Sequence, residues 1–214
     1  MKSILVFGAG SFGSHMIAKL YELGHDVLVV EQDEARLDQV MPYAQSGQIG
    51  DATDREFLAS LGIDNFDSCI VTIGNNFEAS LVTTSYLKEL GARLIVARAD
   101  SDMQEKFLKM AGADDVIFPE RQLGEWAAKR YTTDHLLNYI QLEDGFAIYE
   151  VPVPESWVGM NLIELDIRRK HHLNVIAIKR DDGLSVDIVS ENVFSSGDLI
   201  LVVGKEEALS RFFR

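Results

Sequence analysis

Short apolar runs alternate with longer amphipathic stretches through the first half of the chain. The apolar runs are bounded by Gly, Asp or Pro, as buried parallel strands are, and cover residues 4–7, 26–31, 47–50, 69–73, 94–98 and 115–118. Stretches with helical spacing follow them at residues 12–23, 34–40, 55–61, 78–90, 102–110 and 123–131. This repeated order of strand then helix predicts an α/β fold with a Rossmann-type, doubly wound parallel sheet.

Residues with strong positional preferences mark the ends of several predicted helices. Asp33 and Asp54 stand just before helical stretches, where a short carboxylate accepts hydrogen bonds from free N–H groups. Gly24, Gly62 and Gly91 stand just after helical stretches, where the chain commonly turns through a left-handed conformation. These local signals agree with the predicted helices.

The pattern changes after about residue 140. A strand, a helix, three strands and a last helix are predicted, in that order, at residues 147–154, 162–171, 174–179, 185–189, 199–203 and 206–213. Asp182-Gly183 and residues 196–198 are turn signals between these strands. The second half therefore predicts a small α+β domain.

The two patterns divide the chain into three predicted parts. A Rossmann nucleotide-binding domain covers residues 1–120, and the small α+β domain covers residues 143–214. Residues 121–142 are predicted to form a crossover helix linker, in which the helix at residues 123–131 continues toward residue 140.

The first strand is followed by a glycine motif, G-x-G-x-x-G, at residues 8–13. Gly8 permits a tight turn, Gly10 lets the backbone approach a pyrophosphate, and Gly13 lets the helix pack closely. Glu31 stands at the end of the second strand, where a carboxylate accepts hydrogen bonds from ribose hydroxyls and repels a 2′-phosphate. The alternative is a turn that only packs a helix, with Glu31 in solvent. The combination of strand, loop, helix and acid favours binding of NAD or an adenosine nucleotide.

Further candidate ligand-binding residues adjoin the loop or follow the later strands, at the edge where open α/β sheets bind ligands. They are Ser11, Phe12, Gln32, Asp51, Ala52, Thr53, Thr72, Ile73, Gly74, Asn75, Arg98 and Glu120. The structural alternatives are a turn with an N-cap for Asp51, helix capping by Asn76, a surface ion pair for Arg98 and a first-turn helix position for Glu120. Spacing alone favours the first-turn position for Glu120.

Charge and composition narrow the functional classes. The formal net charge of −14 disfavours a nucleic-acid partner. The single cysteine, Cys69, lies in an apolar run and indicates a small core residue in a reducing compartment. No apolar run approaches the roughly 20 residues that span a bilayer, and the N-terminus does not have the pattern of a signal peptide. We therefore expect a cytoplasmic protein that reaches a membrane only through a partner.

The sequence does not predict an enzyme. G-x-S-x-G, the P-loop lysine motif and C-x-x-C are absent, and His135, His171 and His172 lie in no recognisable catalytic setting. An NAD-dependent oxidoreductase is the alternative, because the glycine motif also occurs in that class.

Taken together, the motifs resemble the regulator-of-potassium-conductance (RCK) family, the KtrA- and TrkA-type cytosolic subunits of bacterial potassium transporters. The resemblance covers nearly the whole chain and rests on residues 8–13, 31, 50–54, 61–67, 71–80, 87–91, 112–114, 119–120, 159–168 and 174–178. It implies homodimers that assemble into an octameric ring on the cytoplasmic face of a KtrB- or TrkH-like membrane subunit. ATP, ADP or NAD(H) bound at the glycine loop would change the shape of the ring and so gate potassium transport.

The resemblance also implies roles for individual residues. The KtrA-type pattern often has an arginine after the second glycine, placed for the outer phosphate of ATP, but Ser11 stands here, so that ATP, ADP and NAD(H) are not ranked. Glu120 matches a family glutamate near the phosphates, where a divalent cation sits between subunits.

A second ligand is implied for the C-terminal domain, because some relatives bind cyclic di-AMP there. The matching residues are Leu162, Arg168, Asn174, Val175 and Ile176. Arg168 would pair with phosphate and Asn174 with adenine. The alternatives are a surface charge for Arg168 and a strand opening for Asn174. A stand-alone cyclic di-AMP sensor that acts on a different membrane protein is a further possible function.

Overall fold

The structure is a computed structural model that describes residues 1–133 and 135–213. Its contacts divide the chain into two compact units, Met1–Arg121 and Gln122–Arg214. Each unit has its own sheet and its own buried core. The three-part division at residues 120 and 142 stays a prediction.

The first unit contains a sheet of six strands. They are β1 Ser3–Phe7, β2 Asp26–Glu31, β3 Ser46–Ile49, β4 Ser68–Val71, β5 Ile95–Arg98 and β6 Asp115–Ile117. Their spatial order is β3-β2-β1-β4-β5-β6, and every neighbouring pair is parallel. This is the strand order of a Rossmann fold, so the predicted doubly wound sheet is confirmed. The winding reverses between β1 and β4, and ligands of such folds bind in the crevice at that point.

Helices connect the strands of this sheet and follow the last one. They are α1 Ser11–Glu22, α2 Glu34–Val40, α3 Arg55–Ser60, α4 Phe77–Glu89, α5 Asp102–Ala111 and α6 Pro119–Thr132. Oδ1 of Asp33 and Oδ1 of Asp54 each accept two backbone N–H bonds from the first turn of the helix that follows. Gly24, Gly62 and Gly91 have φ values of 77°, 68° and 81° just past helix ends. The predicted caps are therefore confirmed.

Strand β1 is buried on both faces of the sheet. Leu5 and Phe7 belong to one core cluster, and Ile4 and Val6 belong to the cluster on the other face. Cys69 on β4 is 0% exposed, and burial raises the pKa of its thiol to about 12. It is a small core residue, as predicted. This packing fixes the carboxyl ends of β1 and β4, where the crevice lies.

The second unit contains a five-stranded sheet in the order β10-β9-β11-β8-β7, in which every neighbouring pair is antiparallel. The strands are β7 Asn138–Gln141, β8 Phe146–Pro152, β9 Asn174–Arg180, β10 Gly183–Ser185 and β11 Leu199–Lys205. The helices are α7 Leu162–Leu165, α8 Ile167–His171 and α9 Glu206–Phe212. The predicted small α+β domain is confirmed. No helix in the described part of the chain is both long enough and apolar enough to cross a membrane.

The segment around α6 differs from the prediction. Helix α6 begins at Pro119 rather than at residue 123, because proline is favourable at the first helical position. The predicted helical extension toward residue 140 is wrong, since β7 occupies Asn138–Gln141 and pairs with β8. Tyr139 on β7 is buried in the core of the second unit. Strand pairing and burial of this ring outweigh the local helical pattern.

Two further predictions in the second half are corrected. The helix expected at residues 162–171 is broken, because Asp166 adopts a φ of 48° between α7 and α8. The strand expected at residues 185–189 ends at Ser185, because β10 pairs only with the end of β9 at the edge of the sheet. Ile188 packs against the core instead of continuing the strand.

Candidate functional site

A cleft of about 750 Å³ lies at the carboxyl ends of the strands in the first unit. Its size fits a nucleotide or dinucleotide. The structure brings together fifteen of the sixteen N-terminal candidates in its lining: Gly8, Gly10, Ser11, Phe12, Glu31, Gln32, Asp51, Ala52, Thr53, Thr72, Ile73, Gly74, Asn75, Arg98 and Glu120. Gly13 is the exception and acts through packing. Sequence reasoning missed other lining residues, which are Ala9, Ser14, Val30, Arg36, Gln39, Gly50, Asn76 and Ala79.

The glycine loop is shaped by contacts between β1, β4 and α1. Gly8 has a φ of 100°, which glycine adopts readily, and its N–H donates to the Val30 carbonyl at 2.9 Å. The Gly8 carbonyl accepts a hydrogen bond from Oγ1 of Thr72 at 2.7 Å. A Cβ at Gly13 would overlap both the Gly8 carbonyl oxygen and Thr72 Oγ1. Gly13 is therefore required for the close approach of α1 to the loop.

Gly10 meets a different requirement. Its φ of −65° is open to any residue, and a Cβ placed on it would have no atom within 4 Å. It is the N-cap of α1 and provides no side-chain cap, and no acidic residue stands in the first turn. The free N–H groups and partial positive charge of this helix end favour an anion. The open space at Gly10 is where a phosphate would approach the backbone.

Glu31 ties the end of β2 to the glycine loop. Its Oε2 accepts a hydrogen bond from the Ala9 N–H at 2.6 Å. Its Oε1 accepts bonds from the N–H groups of Gln32 at 2.8 Å and Asp33 at 3.2 Å. Each carboxylate oxygen can accept more than one hydrogen bond, so that ribose hydroxyls could bind alongside these contacts. The carboxylate lines the cleft and does not simply face solvent.

Asp51 lines the cleft and also forms the turn that was its structural alternative. Its Oδ1 accepts hydrogen bonds from the backbone N–H of Thr53 at 2.8 Å and from Thr53 Oγ1 at 2.7 Å. These hydrogen bonds lower the pKa of the Asp51 carboxyl, and the bond from the Thr53 backbone N–H has the largest effect. A hydrogen bond from the Gln32 side chain makes a smaller contribution. The carbonyl of Ala52 accepts a bond from the buried Thr83 hydroxyl at 3.0 Å. This turn is thereby held against α4.

The turn after β4 contributes to both helix capping and the cleft. Oδ1 of Asn76 accepts a hydrogen bond from the Ala79 N–H at 3.0 Å and caps α4, so its capping role is observed. Gly74 lies against the Arg98 guanidinium, and a Cβ at Gly74 would overlap Nη1. Glycine here leaves room for Arg98 to reach into the cleft.

Arg98 and Glu120 form an ion pair inside the cleft. Nη2 of Arg98 lies 2.5 Å from Oε1 of Glu120 and 3.1 Å from Oδ1 of Asp100. Glu120 occupies the first turn of α6, as spacing suggested. Its pKa is lowered by its own backbone N–H first, and further by the hydrogen bond and charge of Arg98, while burial opposes this. In the described residues no group of three His, Cys, Asp or Glu could hold a metal ion, and the cation role of Glu120 stays a prediction.

Two family models match the chain. One described as the TrkA-N domain matches residues 4–119, and one described as the TrkA-C domain matches residues 146–214. The chain is 36% identical over 211 residues to Ktr system potassium uptake protein C of Bacillus subtilis (strain 168). This alignment covers 99% of this chain and 96% of that protein. It is 33% identical to Ktr system potassium uptake protein A of the same organism, over 99% of this chain and 95% of that protein.

The chain belongs to the RCK family. It carries a TrkA-N domain followed by a TrkA-C domain. Solved structures agree with the fold. The crystal structure of the GsuK RCK domain superposes with a TM-score of 0.70 at 23% identity, over 99% of this chain and 47% of that chain. The GsuK channel bound to NAD superposes with a TM-score of 0.69 at 24% identity, over 97% of this chain and 38% of that chain.

The five candidate residues of the TrkA-C domain differ in how exposed they are to a ligand. Arg168 is exposed on α8, and Leu162 is half-buried at the start of α7. Along β9, Asn174 is exposed and Ile176 is half-buried, while Val175 between them is 9% exposed and belongs to the core. The register of β9 against β11 shifts between Ala177 and Val175, so that Ile176 is the extra residue of an irregularity and side chains do not simply alternate there. The side chain of Val175 packs in the core and is not available to a ligand.

We expect Gly13→Ala and Gly10→Ala to differ sharply in stability. The added Cβ at Gly13 meets backbone atoms that cannot move aside, so that the free energy of unfolding should fall by about 1–3 kcal/mol. The added Cβ at Gly10 meets open space, and the change should stay within about 0.5 kcal/mol. Denaturant unfolding followed by circular dichroism measures both. Equal losses for the two variants would contradict the assigned packing role of Gly13.

Proposed function

We propose that this protein is the cytosolic regulatory subunit of a bacterial potassium uptake system and binds an adenine nucleotide in its TrkA-N domain. The proposed role rests on full-length similarity to the Ktr system potassium uptake proteins. The Trk system potassium uptake protein TrkA of Mycobacterium tuberculosis is similar over 97% of this chain, at 25% identity. The proteins that carry this similarity are named for potassium uptake and not for catalysis.

The observation that carries the nucleotide assignment is the cleft at the glycine loop. It combines an uncapped helix N-terminus and an open backbone position at Gly10 with the carboxylate of Glu31. The first two suit a phosphate group, and the third suits a ribose with free hydroxyls. A 2′-phosphate would face the charge of Glu31, so that NADP is disfavoured.

ATP, ADP and NAD(H) all fit this chemistry. GsuK has been solved bound to NAD and bound to ADP, and its fold is shared by this chain. Ser11 supplies no cation at the loop, so that discrimination among the three depends on other residues of the cleft. A divalent cation bound by Glu120 next to the phosphates belongs to the same proposal.

Regulation requires that the ligand binds one conformation of an assembly more tightly than another. We assign this role to homodimers that form an octameric ring on a KtrB- or TrkH-like potassium-transporting membrane subunit. A shift from mostly closed to mostly open needs a preference of about 5.5 kcal/mol summed over the sites, which many identical sites supply more readily than one.

Binding without turnover is favoured over the oxidoreductase alternative. The described residues that line the cleft include no His, Lys, Tyr or Cys, which are common proton-transfer groups beside a nicotinamide. Steady hydride transfer by the purified protein to a small substrate would reverse this preference.

Calorimetric titration with ATP, ADP and NADH tests the nucleotide assignment. We expect saturable binding of at least one of them, and loss of that binding in Gly10→Val, because the new side chain fills the space that the phosphate needs. Gly124→Val is the matched control, because Gly124 is exposed on α6 and a Cβ added there would also have no atom within 4 Å. Unchanged affinity in a folded Gly10→Val protein would refute the glycine-loop site.

A second ligand, cyclic di-AMP, is proposed for the TrkA-C domain. The supporting observation is that Arg168 on α8 and Asn174 at the start of β9 are both exposed, and that Ile176 is half-buried. A stand-alone cyclic di-AMP sensor acting on another membrane protein would use the same residues, and recovery of its membrane partner would separate the two functions.

Replacement of Arg168 tests this second site. We expect Arg168→Ala to abolish cyclic di-AMP binding and to leave adenine nucleotide binding intact, because its guanidinium would pair with the phosphates. Arg169→Ala removes an equal charge from the adjacent exposed position and should retain binding. Equal weakening by both variants, measured by calorimetry, would indicate nonspecific attraction and refute the site.

A further inference from the structure

The side chain of Arg98 reaches from the end of β5 to the mouth of the glycine loop. Its Nη1 lies against Gly74, and its Cζ is 6.0 Å from the centre of the Phe12 ring. Phe12 is in the first turn of α1, whose N-terminus is the anion-binding end of the cleft. The guanidinium therefore lies beside the place where phosphates would bind.

Arg98 is the cation best placed for this task. The described residues that line the cleft include two cations, Arg36 and Arg98. Arg36 is on α2, which follows Glu31 and the ribose end of the cleft, and its Nε lies 3.7 Å from Oδ2 of Asp33. The loop itself carries Ser11 and no cation. Among the described side chains that line the cleft, Arg98 is therefore the one placed to pair with an outer phosphate.

The present contacts of Arg98 leave it incompletely satisfied. Its side chain is only 15% exposed, and its Nε is buried without a hydrogen-bond partner among the described residues. An arginine has five N–H donors in a planar fork, and a buried donor without a partner is unfavourable. A phosphate group offers several acceptor oxygens to this fork and binds it bidentately.

The carboxylates that contact Arg98 would compete with a phosphate for its guanidinium. Nη2 is engaged by Glu120 and Asp100, at 2.5 Å and 3.1 Å. Glu120 is 59% exposed in the first turn of α6, so that a side-chain rotation can move its carboxylate into water. Nη2 carries two N–H groups and already contacts two carboxylates, so that an outer phosphate binds it only when one of them leaves. Glu120 is the more exposed of the two, at 59% against 41% for Asp100.

We propose that Arg98 determines how many phosphates the cleft prefers, and that its ion pair with Glu120 is exchanged for a bond to the outer phosphate when a nucleotide binds. This inference rests on the proposed nucleotide function. Arg98 on β5 thus takes the place of an arginine in the loop. When no divalent cation is bound at Glu120, this carboxylate opposes nucleotides with long phosphate chains, both by occupying Arg98 and by its own charge.

The test is a titration of AMP, ADP and ATP into four proteins: the wild type, Arg98→Gln, Glu120→Gln and the double variant. EDTA is present throughout, so that a cation at Glu120 does not contribute. We expect the wild-type affinity to rise from AMP to ATP. Arg98→Gln should lower ATP affinity about ten- to a hundred-fold and AMP affinity far less, since a hydrogen bond to a charged group is lost only with the longer ligand.

The double variant separates exchange from simple repulsion. Glu120→Gln alone should raise ATP affinity, because it frees the Arg98 fork. If Glu120 acts through Arg98, this gain should shrink in the Arg98→Gln background. An equal gain in both backgrounds would overturn the exchange. Arg121→Gln is the matched control, because Arg121 pairs with Asp102 and Glu105 outside the cleft lining. It should retain the wild-type order of the three ligands.

The outcomes also separate this inference from the nucleotide assignment. Wild-type protein that binds none of the three nucleotides would overturn this inference, and if it also failed to bind NADH the nucleotide assignment would fall as well. Wild-type binding with an equal loss of AMP and ATP affinity in Arg98→Gln would leave the nucleotide site standing and overturn the role of Arg98. Thermal unfolding of each variant confirms that a loss of affinity does not reflect a loss of fold.

Discussion

The missing side chain at Gly13 is the constraint from which the geometry of the cleft follows. Helix α1 approaches the loop so closely that a Cβ at this position would overlap the Gly8 carbonyl. The same carbonyl accepts the hydroxyl of Thr72, which lies just after β4. The Gly8 carbonyl, which follows β1, therefore contacts both α1 and the end of β4, at the point where the sheet reverses its winding. This arrangement aims the free N–H groups of the helix into the crevice.

The cleft has a rigid part and an exchangeable part. The rigid part is the loop with Glu31, whose carboxylate is bonded to the backbone of Ala9, Gln32 and Asp33. The part that we propose to be exchangeable is the ion pair of Arg98 with Glu120, whose side chain is 59% exposed. If the loop binds phosphate as proposed, ligands with different numbers of phosphates would differ mainly in their contact with this ion pair. The number of phosphates would then shift the balance between conformations of the protein.

The features that sequence predicts well are those fixed by local chemistry. The glycine motif, Glu31 and the aspartate caps depend on residues a few positions away or on the regular strand–loop–helix order, and the structure has them where expected. Arg36 was missed because its place in the cleft depends on how α2 turns toward the sheet. That orientation is set by burial of Leu37 and Val40 in the core of the first unit.

The second half was predicted less well because tertiary contacts decide its local structure. The local pattern of residues 138–141 favours the end of a helix, but pairing with β8 and burial of Tyr139 make them a strand. Asp166 interrupts a helix with a left-handed conformation that its sequence does not require. The secondary structure of such segments depends on contacts with residues far away in the sequence, and apolar periodicity alone does not reveal those contacts.

Nucleotide-dependent potassium flux tests the central claim most directly. Vesicles would carry the potassium-transporting membrane subunit from the same organism, with this protein added as wild type or as Gly10→Val. Flux should change when ATP replaces ADP or nucleotide is withdrawn, and only with the wild-type protein. Flux that is identical in all nucleotide states, although the wild-type protein is bound to the vesicles, would contradict the account.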